Sequence, residues 1–109
     1  MALSFIVNDR KFEVSRDGDA MVIKVYNPLD AQWKMPGITS MQREDAEETR
    51  RTWTRDEIRP AFRVKGLPDI RDRLIKDPDD VEGWLIWRVG PPADTNDLPA
   101  WQAELDKLA

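Results

Sequence analysis

Four acidic side chains crowd into six residues at Asp77, Asp79, Asp80 and Glu82. Carboxylate oxygens at that density could hold Mg²⁺ or Ca²⁺. A small carboxylate-dependent, metal-assisted enzyme would be built from them. The spacing does not match a calcium loop of the EF-hand kind, which needs a glycine after its third acidic position. A nuclease centre of the Pro-Asp…Glu-x-Lys kind needs a lysine two residues after Glu82, where Trp84 stands. Helix capping accounts for the same residues: Asp77 as cap, Pro78 at the first position, and acids facing the positive end of the dipole. Asp94, Asn96 and Asp97 read in the same way, as turn and cap before a last helix.

Other chemistries lack their residues. The chain has no histidine and no cysteine. That removes the commonest general base near neutral pH, thiolate metal sites, disulfides, and every Ser-His or Cys-His nucleophile pair. The five glycines are scattered at 18, 37, 66, 83 and 90, so no phosphate loop or nucleotide fingerprint is present. No catalytic residue, metal site or cofactor is assigned, and the chain is read as not an enzyme.

Arginine with aromatic residues is the richer signal. Eight arginines fall between Arg43 and Arg73, with Trp53 and Phe62 among them. That pairing can bind nucleic acid. Acids are interleaved almost one for one, however, and the net charge is −4, which cancels the long-range field that phosphate attraction needs. Direct nucleic-acid binding is therefore not expected. Arginine and tryptophan also dominate protein–protein hot spots. The candidate interaction residues are Trp33, Arg50, Trp53, Arg55, Arg59, Trp84, Trp87 and Trp101.

Charge is uneven. Residues 39–76 carry ten basic and eight acidic side chains, a net of +2, and residues 77–109 carry two and eight, a net of −6. The acidic end is either a solvated face or a phosphate mimic.

The elements that must position these residues follow from pattern. A chain of 109 residues is one domain. Residues 1–26 read as a three-stranded antiparallel meander. Strands are expected at 3–7, 11–15 and 20–26, with turns at Asn8-Asp9-Arg10 and at Asp17-Gly18, a hairpin dipeptide. Phe12 and Val14, then Met21, Ile23 and Val25, alternate with Lys11, Glu13 and Lys24, so one face is expected to be wet. Residues 27–38 read as a loop whose Leu29, Trp33 and Met35 lie across the sheet or line a partner surface.

Residues 39–76 form a helical middle. A first helix over 39–53 starts at a capping box, Thr39 with Gln42. A second capping box at Thr54–Glu57, with Trp53 and Ile58 placed as a hydrophobic staple, predicts a break at Thr54. Pro60 limits the new helix, and Gly66 and Pro68 end it. A short helix is expected over Ile70–Lys76.

Residues 77–90 hold the helix cap and the run Trp84–Val89. Short length, bounding glycines and aromatic content favour a strand there, with a helix as the alternative. As a strand it puts Leu85, Trp87 and Val89 on one face and Trp84, Ile86 and Arg88 on the other. Both faces then want cover, so one of the two tryptophans is expected to lie outside the domain's own core. Residues 91–109 are a proline-rich exit and a C-terminal helix, with Leu98, Trp101, Leu105 and Leu108 in one apolar stripe.

The fold class is α+β. No run is long enough to span a membrane. Residues 1–7 have no preceding basic region and no cleavage site, so they read as a strand and not as a signal peptide. The cytoplasm is the default location. The function expected is a non-catalytic protein-interaction domain: an adaptor, inhibitor, immunity-type or assembly factor. Its partner is another protein or a further copy of the chain. The alternatives are an acidic inhibitor of a nucleic-acid-binding complex and the metal-assisted enzyme above.

Overall fold

The computed structural model describes residues 2–26, 40–70, 73–81 and 83–108; within 40–50 it describes only the side chains of Glu48 and Thr49. The expected loop with Trp33, and the capping box at Thr39 and Gln42, lie outside the described residues or side chains.

Five antiparallel strands form one sheet. They are β1 (Leu3–Val7), β2 (Arg10–Asp17), β3 (Ala20–Tyr26), β4 (Leu74–Lys76) and β5 (Trp84–Val89), in the order β1-β2-β3-β5-β4. Two helices accompany it, α1 (Ser40–Lys65) and α2 (Leu98–Asp106). The meander is present as expected. Its first turn has positive φ at both Asn8 (51°) and Asp9 (63°), the requirement of a type I′ hairpin. At the second turn Asp17 pairs with Ala20, so Gly18 and Asp19 are the central residues. Only Gly18 has positive φ (63°), which suits a glycine-first turn. The dipeptide at the tip is thus Gly-Asp, one residue later than Asp-Gly implies.

The register puts Phe5, Phe12, Val14, Met21, Ile23, Val25, Trp87 and Val89 on one face. They form the core with Ile58, Ala61 and Phe62 of α1, Ile70, and Trp101, Leu105 and Leu108 of the C-terminal helix and its end. Two helices therefore cover one side of the sheet. Fully burying Ile58 and Phe62 is worth roughly 1.5–3 kcal/mol each. Arg10 pairs with Glu57 at 3.0 Å and Arg16 with Asp106 at 3.0 Å, holding β2 to each helix in turn. Such partly exposed pairs add about 1 kcal/mol at most.

Trp84–Val89 is a strand and lies between β3 and β4. Trp87 is buried in the core, and Trp84 is half-buried on the outward face.

Three expectations are corrected. The chain does not break at Thr54, because α1 runs without interruption from Ser40 to Lys65. Thr54 points inward and is only 2% exposed, while Trp53 is 63% exposed and cannot staple to buried Ile58. Pro60 sits inside this helix on its exposed side, where water can serve the carbonyl its missing N–H leaves over. The helix stops at Gly66 (φ 69°). There Leu67 N–H donates to Phe62 O at 2.9 Å and Gly66 N–H to Arg63 O at 3.2 Å, a Schellman end.

The expected helix over Ile70–Lys76 is also absent from the described residues: Leu74–Lys76 pairs with Val89, Arg88 and Trp87 of β5. Backbone groups at the edge of β5 recruit three residues whose own pattern is equally compatible with a helix.

Finally, Asp77-Pro78-Asp79-Asp80 starts no helix; it is the β4–β5 connection. Asp77 Oδ1 accepts from Asp79 N–H at 2.7 Å, and Asp80 Oδ1 from Ile86 N–H at 3.0 Å. These acids do accept from backbone N–H groups, but from one in the connection and one in β5.

Candidate functional site

Where α1 passes the β4–β5 connection, the two leave a cleft of about 530 Å³. Glu48, Arg51, Thr52 and Arg55 form its helical wall, four residues that return to one side of the helix at i, i+3, i+4 and i+7. Lys76, Asp77, Pro78 and Asp80 form the opposite wall, and Trp87 contributes the floor.

Its charges are largely organised in pairs. Arg51 meets Glu48 at 3.1 Å, and Lys76 pairs with Asp80. The Lys76 ammonium also donates to Asp77 O at 2.6 Å and stands 5.6 Å from the centre of the Trp87 ring. Asp77 accepts from Arg88 Nε at 2.7 Å. That hydrogen bond, with the one from Asp79 N–H, holds the Asp77 carboxyl below its ordinary pKa. Arg88, which also donates to Asp17 at 2.8 Å, is shifted upward. Arg55 has the looser tie, 3.4 Å to neighbouring Asp56. The buried Trp87 Nε1–H has no acceptor among the described residues.

The eight candidate residues do not converge on one surface. Arg55 and Trp87 meet in the cleft. Trp33 and the side chain of Arg50 lie outside what is described. Trp53 stands on the solvent side of α1, in line with Pro60 and Val64 at i+7 and i+11; Val64 is 70% exposed. Arg59 pairs with Asp69 at 3.3 Å and borders a smaller hollow of about 120 Å³. Trp84 lies on the outward sheet face, 5.3 Å from the Tyr26 ring and with Lys11 Nζ 5.9 Å above it. Gly83 makes room for that pair, since a Cβ there would come within 2.8 Å of Tyr26.

Trp101 is structural. Its Nε1–H donates to Asp19 O at 2.9 Å, and Arg73 lies 4.8 Å from its ring centre.

Sequence reasoning missed Glu48, Arg51, Thr52, Lys76 and Pro78 as cleft residues. Helical spacing from Arg55 back to Arg51 and Glu48 could have found that wall. Nothing local marks the wall across the gap. Among the described residues no three acidic, histidine or cysteine side chains gather to hold a metal, and no helix is long and apolar enough to cross a membrane. No protein-family model matches this chain, and no curated protein or solved structure does.

Proposed function

We propose that this chain is a non-catalytic protein-interaction domain that meets its partner along α1. The observation that carries this reading is Trp53, 63% exposed in mid-helix. A tryptophan ring is a large apolar area to leave in water, and tryptophan is enriched at binding hot spots. Val64 continues the apolar line toward the helix end. Arg55 and Arg59, at i+2 and i+6, stand round the helix from this line, beside the cleft and Asp69. The surface is rigid, since Ile58, Ala61 and Phe62 anchor the same helix in the core. A rigid helix loses little conformational entropy on binding.

Acid pairing supports this reading over phosphate mimicry. Asp77, Asp80 and Asp106 are each committed to a cation of the same chain, so much of the acidic end is spent internally.

The test is affinity purification of the tagged protein from its native cells beside two variants, Trp53→Ala and Glu13→Ala. One protein should be recovered in fixed proportion with the wild type and with Glu13→Ala. Trp53→Ala should reduce its recovery by about 30-fold, as loss of a hot spot does. Equal recovery with all three removes α1 as the contact surface. If nothing is recovered in fixed proportion, the interaction reading itself falls.

A further inference from the structure

We propose that β1 is an interface between two copies of this chain, paired antiparallel edge to edge so that two five-stranded sheets become one. The argument starts from what the edge lacks. β1 is Leu-Ser-Phe-Ile-Val, with no charged residue and no proline. Its inner side pairs with β2 over all five residues, and among the described residues no strand lies on its outer side. Natural sheets blunt such an edge with lysine, proline, a bulge or shortness. This chain does so at the opposite edge, where β4 is three residues long and carries Lys76. One guarded edge and one unguarded edge favour a closed pair over an open fibre, because joining β1 to β4 of the next copy would propagate without end.

The side chains fit a twofold axis through Phe5. Leu3 then faces Val7 of the second copy, and Ser4 faces its Ile6. On the helix-covered side Phe5 already stacks on Phe12, with centroids 5.2 Å apart, and the two stacks would meet at the axis. Leu3, 39% exposed, and half-buried Val7 would complete a core that now thins out at this edge. On the outward side Ile6, 66% exposed, would be covered by Ser4 and its surroundings. The β2 neighbours on the shared outward rows are Glu13 from one copy and Lys11 from the other, so unlike charges share each row.

Ile6 is the residue to change, because it is exposed in the single chain and a lysine there cannot disturb the core. Sedimentation equilibrium from about 5 µM to about 1 mM should show the mass rising from one chain to two, five residues a side being a small and therefore weak interface. Ile6→Lys, with an unchanged circular dichroism spectrum, should dimerise at least tenfold more weakly. The chain has no cysteine, so engineered pairs are unambiguous. Mixed Ser4→Cys and Ile6→Cys chains should form a 4–6 disulfide on oxidation, because directly opposed antiparallel residues have Cα atoms about 4.5–5.5 Å apart, within disulfide reach. Ser4→Cys alone should form far less. A single-chain mass throughout the range overturns the proposal. So does growth beyond two chains, or a dimer that survives Ile6→Lys or lacks the 4–6 cross-link. None of these outcomes depends on the α1 surface.

Discussion

Asp77 can serve a metal, a helix cap or an ion pair, and residue type alone does not choose among them. Arg88 chooses, eleven residues later, by presenting its guanidinium from the neighbouring strand at 2.7 Å. The contact has a consequence for acid stability. Asp77 titrates below the ordinary aspartate value of about 3.9, so its stabilising contribution is complete above that value. It is lost as pH falls through the lower, folded-state pKa. Arg88 is raised by the same bond, and its share is lost only in strong alkali. Urea unfolding between about pH 6 and about pH 2 should therefore show stability falling below about pH 4. Asp77→Asn should be less stable at the upper end and should fall less steeply. Parallel curves for the two proteins would mean that other carboxylates set the acid limit. Trp101 carries a similar lesson. Its place in an apolar stripe is visible in the sequence, but the Asp19 carbonyl that receives its N–H lies eighty-two residues away.

Among the elements, α1 departs most from its local signals. Thr54, Glu57 and Pro60 are good boundary residues, yet the helix passes through all three. Its continuity rests on burial of Thr54, Ile58, Ala61 and Phe62 along one inward line, and packing of such a stripe outweighs capping preferences of about 1 kcal/mol. If Pro60 is a tolerated defect in a continuous helix, Pro60→Ala should stabilise. Removing an interior proline gains up to about 3 kcal/mol, and the freer unfolded chain gives back about 0.4–1 kcal/mol. A net gain of about 1–2 kcal/mol is expected, read as a higher urea midpoint with unchanged slope. No gain would mean that the helix accommodates Pro60 at no cost. The meander, by contrast, was legible because strand alternation and tight turns are local properties. β4 was not, since three residues carry no period and only the free edge of β5 makes them a strand.

For the whole molecule, buried core and exposed surface are distributed over separate tryptophans. Trp87 and Trp101 belong to the core, and Trp53 does not. Leu105 ties α2 to that core and is fully buried. Leu105→Ala should cost about 2–5 kcal/mol, whereas Trp53→Ala should change folding stability by no more than about 0.5 kcal/mol. Chemical denaturation of the two variants measures both. A large loss from Trp53→Ala would return that ring to the core and remove it as a contact. The sequence by itself determined the α+β class, the meander with its two faces, the inward Trp101, Leu105 and Leu108 of the last helix and its end, and the lack of histidine and thiol chemistry; at Trp84–Val89 it favoured a strand but left a helix open, and it put Leu98, 38% exposed, in the stripe. All of these rest on residue type or on periods spanning a few residues. Only the tertiary structure decided which tryptophans are exposed, that Asp77 belongs to Arg88, that β4 exists, and that α1 and the β4–β5 connection enclose a cleft. Each of those depends on groups brought together from distant parts of the chain, and their spacing in sequence carries no trace of the meeting.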